Sequence, residues 1–134
     1  MVAGGSFQSV GVGIKKYYFE NGELDFEEIY VAKLKADGRY QSVKEGVSKV
    51  YYDNGVLHSE VVFVVKSLTD GSYQSVPEGI EKVYTGSGVL KRESPYVVKL
   101  LADNSYQGVV EGIEISYYED GVTKKWETPY VAYM

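Results

Sequence analysis

The sequence predicts an all-β fold, an elongated and twisted meander of antiparallel hairpins built from four units of 33 residues. Three observations carry that expectation. The chain repeats itself at a fixed spacing; each repeat holds Asn-Gly or Asp-Gly turn chemistry between aromatic and β-branched runs; and no stretch shows a helical period or a helix cap. The units span 6–38, 39–71, 72–104 and 105–134 and form a single repeat domain over 1–134.

The units open on SFQSVGVGIKKYYFENGEL, RYQSVKEGVSKVYYDNGVL, SYQSVPEGIEKVYTGSGVL and SYQGVVEGIEISYYEDGVT. Four positions agree throughout: Gln8, Gln41, Gln74 and Gln107; Gly13, Gly46, Gly79 and Gly112; Tyr18, Tyr51, Tyr84 and Tyr117; Gly22, Gly55, Gly88 and Gly121. FENG, YDNG, TGSG and YEDG read as hairpin tips, because Asn-Gly and Asp-Gly tolerate the positive φ that tight hairpins demand. A second turn recurs half a unit away at ADG, TDG and ADN. The third recurring element, VxEG, is either a tight turn or a glycine bulge, so a unit holds two long strands or three shorter ones. In the fourth unit KKWETPYV matches KRESPYV only with one residue inserted, which is expected near Trp126 as a strand bulge.

Side chains alternate along a strand, so Ile14, Lys16 and Tyr18 share one face and Lys15, Tyr17 and Phe19 the other. Both faces are mixed, as expected of a sheet wetted on both sides. The exceptions are 29–32, 61–65 and 96–98, apolar on both faces, which are expected to need a cover.

The pattern GxxKxYYxNGxL, as in GIKKYYFENGEL and GVSKVYYDNGVL, resembles the MORN repeat family in its Tyr-Tyr-x-Asn-Gly variant, common in bacterial proteins. The resemblance covers about a dozen residues of each unit, and the 33-residue period is longer than usual for the family by an extra YVxKLxADGxYQSV segment. It implies elongated sheets of antiparallel hairpins used for attachment to proteins or membranes. A second resemblance, to aromatic cell-wall-binding repeats, implies a carbohydrate-binding module. Those repeats bring two or more tryptophans per unit, whereas this chain has Trp126 alone.

A net charge of −5 disfavours nucleic acid and anionic membrane surfaces, which select basic stripes. The absence of cysteine excludes disulfides and thiolate metal sites. The opening MVAGGSFQSV has neither a basic nor an apolar leader region, and no apolar run approaches a span's ~20 residues. Both observations lean toward a cytoplasmic setting.

No catalytic residue, cofactor site or metal site is expected, and the chain reads as non-enzymatic. The single His58 is expected to be an exposed strand residue without a partner. Glu27, Glu60 and Glu93, and Glu45, Glu78 and Glu111, recur equally, whereas acid–base catalysis needs one asymmetric pair. They are read as cross-strand partners of Lys16, Lys49 and Lys82, or of Lys33, Lys66 and Lys99. TGSGVLK does not match GxxxxGK[ST] and falls in register with the other hairpin tips.

The file Tyr18, Tyr51, Tyr84 and Tyr117 is expected to hold neighbouring hairpins together by ring packing, as is a second file from Phe7, Tyr40, Tyr73 and Tyr106. Tyr18, Tyr51, Tyr84, Tyr117 and Trp126 are also the candidate partner-binding residues. A protein partner is expected, together with self-association through sheet edges or the valine-rich faces.

Overall fold

The computed structural model describes residues 6–134; residues 1–5, on which part of the leader expectation rests, lie outside the described residues. Eleven strands form one antiparallel sheet: β1 (Gly13–Tyr18), β2 (Leu24–Leu34), β3 (Tyr40–Lys44), β4 (Gly46–Tyr51), β5 (Leu57–Ser67), β6 (Tyr73–Pro77), β7 (Gly79–Tyr84), β8 (Leu90–Leu100), β9 (Tyr106–Val110), β10 (Gly112–Tyr117) and β11 (Lys124–Tyr130). The fold is an open meander of hairpins.

A complete unit has three strands. VxEG is a break within one long strand: Glu45 stays paired to the preceding strand by donating to the Ile29 carbonyl at 2.9 Å, while Gly46 takes φ +108°. The register across the break slips by two residues, from Tyr30↔Lys44 on one side to Phe26↔Val50 on the other. A side chain at that φ would be strained, which is why glycine recurs here. Opposite the glycines stand aromatic rings, in the pairs Gly13↔Tyr30, Gly46↔Phe63, Gly79↔Tyr96 and Gly112↔Tyr130.

The hairpin tips of the first three units share one geometry. In 52–56 the Gly55 N–H donates to the Tyr52 carbonyl at 3.0 Å, the Tyr52 N–H donates to the Val56 carbonyl at 2.8 Å, and Gly55 lies at φ +85°. This is a type I turn closed by a left-handed residue, so only the glycine needs positive φ. Asn54 works through its side chain, accepting from the Val56 N–H at 3.0 Å and donating to the Gly86 carbonyl of the next tip at 3.1 Å. The 85–88 tip has the same backbone bonds, from Gly88 to Thr85 and from Thr85 to Val89, so TGSGVLK is a hairpin turn.

The inserted residue of the fourth unit is not at Trp126. Its tip closes from the Tyr118 N–H to the Thr123 carbonyl, one residue further than in the other units. The β10–β11 ladder then runs unshifted from Ser116↔Trp126 to Gly112↔Tyr130. Asp120 absorbs the extra residue by accepting from the N–H groups of both Val122 and Thr123.

The strands divide into two zones. In the first, β1-β2-β4-β5-β7-β8-β10-β11 are joined by continuous backbone pairing. In the second, the C-terminal halves of β2, β5 and β8 pair with β3, β6 and β9, and no ladder joins one such hairpin to the next. Side chains bridge that gap. Gln41 donates from Nε2 to the Tyr73 carbonyl and accepts at Oε1 from the Tyr73 N–H, both at 2.9 Å. Gln8 does the same to Tyr40 at 2.6 and 2.9 Å, and Gln74 to Tyr106 at 2.7 and 2.9 Å. Ser42 adds a bond to the Gly11 carbonyl and Ser75 one to the Lys44 carbonyl.

Burial is thin. Val43, Val76 and Val83 are the buried apolar side chains, and among the described residues no large side chain is fully buried. The apolar segments expected to need an outside cover are largely half-buried within the fold, Ala32 and Val62 being exposed. With so little core, stability rests on ladders and on contacts between adjacent units.

Two substitutions test this account. Gln74→Ala strips partners from the Tyr106 N–H and carbonyl and is expected to cost about 1–3 kcal/mol. The Gln107 side chain makes no hydrogen bond among the described residues, so in this chain Gln107→Ala should fall within about 0.5 kcal/mol of wild type. Urea denaturation of the pair decides it, and equal losses contradict the bridging role. Gly88→Val, at φ +89°, should lower the same midpoint by more than about 1 kcal/mol.

Candidate functional face

Three rows of side chains run across the first zone on one face. The register Lys16↔Glu27, Glu27↔Lys49, Lys49↔Glu60, Glu60↔Lys82 and Lys82↔Glu93 places these six residues side by side on successive strands. The row continues through Glu93↔Ile115 and Ile115↔Glu127. Two residues along each strand, and therefore on the same face, lies an aliphatic row through Ile14↔Ile29, Val47↔Val62, Ile80↔Pro95 and Ile113↔Pro129. On the other side of the charged row the pairs Tyr18↔Leu24, Tyr51↔Leu57 and Tyr84↔Leu90 form a third row, which Tyr117 extends.

The structure thus brings Tyr18, Tyr51, Tyr84 and Tyr117 together on this face. Trp126 pairs with Ser116, one residue out of phase with the Ile115↔Glu127 pair, and so lies on the opposite face of the edge strand. There its ring sits under Lys125 Nζ at 4.9 Å. Tyr18 and Trp126 are 62% and 53% exposed, whereas Tyr51, Tyr84 and Tyr117 are half-buried.

The tyrosine file does not hold by ring stacking. Among the described residues the close ring pairs are Tyr17–Phe26 and Tyr52–His58. Instead three of the four hydroxyls donate to a carboxylate of the preceding unit: Tyr51 to Glu27 at 3.0 Å, Tyr84 to Glu60 at 3.3 Å, and Tyr117 to Glu93. This explains a second departure from expectation. Lys16, Lys49 and Lys82 flank these glutamates in register, yet among the described residues no ion pair within 4.0 Å joins them to a carboxylate. The glutamates are engaged by tyrosine, and the ammonium groups are left to the surface. Of the second set, Lys33–Glu45 and Lys99–Glu111 close to 3.7 and 2.8 Å.

The aliphatic row escaped sequence reasoning. Ile14, Ile80 and Ile113 each keep more than half of their surface exposed, and Val47 and Val62 are exposed as well. Near its end Ile80, Pro95, Ile113 and Ile115 line a shallow hollow of about 60 Å³ beside Glu93. Each residue looks ordinary in its own strand. Only the register shows that they adjoin.

His58 departs from expectation too. It is half-buried with its ring 4.7 Å from that of Tyr52, and its Nδ1 is buried without a hydrogen-bond partner. Among the described residues no group of three or more His, Cys, Asp or Glu side chains is placed to hold a metal, and no helix is long and apolar enough to cross a membrane.

A family model described as MORN repeat variant matches residues 12–32, 44–64 and 77–97. The chain belongs to the MORN repeat family. Comparison with curated proteins and with solved structures found no match. The three matched MORN segments coincide with the hairpins β1–β2, β4–β5 and β7–β8, which build the three-row face. Most of the Gln-bearing segments and the whole fourth unit, with its longer turn, fall outside the match. MORN repeats are a non-catalytic type of module, associated generally with binding to proteins and membranes.

The tyrosine–glutamate bonds make a pH prediction. Burial first and the neighbouring carboxylate second raise the Tyr51 and Tyr84 hydroxyls above their ordinary value; for Tyr117 the Glu93 bond is the larger cause. A raised folded pKa means the native state holds its phenolic protons longer than the unfolded chain. The contribution is therefore present below about pH 10 and lost as pH rises through the folded values. Thermal melts should fall more steeply above pH 10 in wild type than in a Tyr51→Phe, Tyr84→Phe, Tyr117→Phe triple variant, and parallel curves would contradict the assignment.

Proposed function

We propose that the chain is a non-catalytic module whose three-row face presents an extended β surface to a protein partner, as a scaffold does. The observation that supports this reading is the exposed aliphatic row, Ile14, Val47, Val62, Ile80 and Ile113, running beside lysines that make no ion pair within 4.0 Å among the described residues. An apolar stripe rimmed by charge marks an interaction surface more often than a solvated one. The same pattern argues for protein over nucleic acid, since the row carries both signs and the chain is acidic.

The repeat suits this role. Each unit offers a similar patch, and a partner that engages several at once gains affinity from contacts that are individually weak. Tyr18, Tyr51, Tyr84 and Tyr117 lie within the proposed surface, with the ring of Tyr18 the most open; Trp126 would contribute only to a partner that reaches the opposite face at the C-terminal edge.

Affinity capture from source-cell extract tests the proposal, using wild-type bait and a Val47→Asp, Ile80→Asp bait. A protein other than the chain itself should be retained by the first and lost from the second. Equal recovery on both, with both baits folded by circular dichroism, would remove the face from the binding role.

A further inference from the structure

The charged row has a symmetry that identifies one occupant for the face. Read across the sheet it runs Lys16, Glu27, Lys49, Glu60, Lys82, Glu93, alternating in sign at every strand. The alternation stops there. Position 115, which continues the series Lys16, Lys49, Lys82, is isoleucine. The run therefore has an even number of members and a centre between Lys49 on β4 and Glu60 on β5. Reversed end to end, it presents the opposite sign at every position.

We propose that the three-row face binds a second copy of this chain, face to face, about a two-fold axis parallel to the strands and passing between β4 and β5. Such an axis keeps each row at its own height and reverses the strand order. Lys16 then meets Glu93 of the other copy, Glu27 meets Lys82, and Lys49 meets Glu60. The aliphatic row lies on its own counterpart, Ile80 over Ile29 and Val47 over Val62. In the third row Tyr51 falls on Leu57, Tyr18 on Leu90, and Leu24 on Tyr84. An axis across the strands would instead set like charge on like, and association through the open edges at β1 and β11 would use none of the three rows.

The magnitudes describe a modest, concentration-dependent dimer. Six strands at about 4.8 Å and three rows at about 6.8 Å cover roughly 600 Å² on each copy, which sits at the lower end of specific interfaces. Twisted sheets stacked face to face settle at about −30°, so the central Lys49–Glu60 contacts are the best aligned. The net charge of −5 on each copy opposes approach, but beyond about 8 Å that repulsion is screened at physiological ionic strength, while contacting pairs near 4 Å are screened far less. The glutamates can still accept from a facing lysine because the tyrosines hold each of them at only one oxygen.

This inference rests on the reading of the face as a binding surface, and charge swapping separates the two. Sedimentation velocity near 0.15 M salt should show wild-type mass rising from monomer toward dimer with concentration. Lys49→Glu sets Glu against Glu60 at both central contacts, and Glu60→Lys sets Lys against Lys49; each variant alone should stay monomeric. An equimolar mixture of the two restores opposite charges at both contacts and should form a heterodimer. Wild type that remains monomeric at every concentration, variants that associate as wild type does, or a mixture that stays monomeric while both variants keep their strand signal by circular dichroism would each overturn the proposal. If a central variant fails to fold, Lys16→Glu and Glu93→Lys carry the same test at the outer contacts. Loss of self-association with capture of another protein intact would leave the broader reading standing.

Discussion

The carboxamide of Gln41 does for this fold what a neighbouring strand does for an ordinary sheet. It offers the Tyr73 backbone one acceptor and one donor in the spacing of a peptide group, so a gap without a ladder is closed by a side chain of matching chemistry. Much else depends on this bond. The break at Glu45 and Gly46 turns each long strand away from the line of its successor, and a sheet so broken would leave the second-zone hairpins unpaired on one side. Unpaired backbone groups in a half-buried position cost more than the bond itself contributes. Glutamine at this place in every unit that has a successor is the physical answer to a glycine break in every unit.

The same economy shapes the face. A sheet with almost no dry core cannot order itself by burial, so its rows must be specified by polar contacts that repeat with the chain. Tyr51 reaching back to Glu27, and Tyr84 to Glu60, are such contacts, linking residues 24 apart. They order the carboxylates, and among the described residues Lys16, Lys49 and Lys82 make no ion pair. Within one row the carboxylates thereby carry side-chain bonds of the fold and the lysines do not.

Much of the architecture was legible in the residues. Period, turn sites and the glycines that need positive φ follow from local chemistry, because a type I turn with a left-handed fourth residue is decided within five positions. Gln8, Gln41, Gln74 and Gln107 were visible as a repeat, but their purpose was not, since the partner lies 32 residues away and the gap it fills is a property of the assembled sheet. The repeat pattern alone puts the fourth unit's extra residue near Trp126, because a gap in a string carries no geometry; in the structure the turn closing from Tyr118 to Thr123 takes it up, and the ladder from Ser116 to Gly112 stays in step. Residue type alone predicts an exposed His58, because the Tyr52 ring beside it is a product of the fold. The aliphatic row was the largest omission. Ile14, Val47 and Ile80 stand at one place in the repeat, but Val62 and Pro95 join them only through register.

Amide hydrogen exchange at Tyr40, Tyr73 and Tyr106 measures the central claim most directly. These N–H groups donate to a glutamine side chain of the preceding unit at 2.9 Å. If the side-chain bridge holds the second zone together, Tyr73 and Tyr106 are protected to a degree comparable with ladder amides of β5, and Gln41→Ala releases Tyr73 while leaving Tyr106 protected. Exchange of Tyr73 and Tyr106 at the rate of open turn residues in the wild-type protein would contradict it.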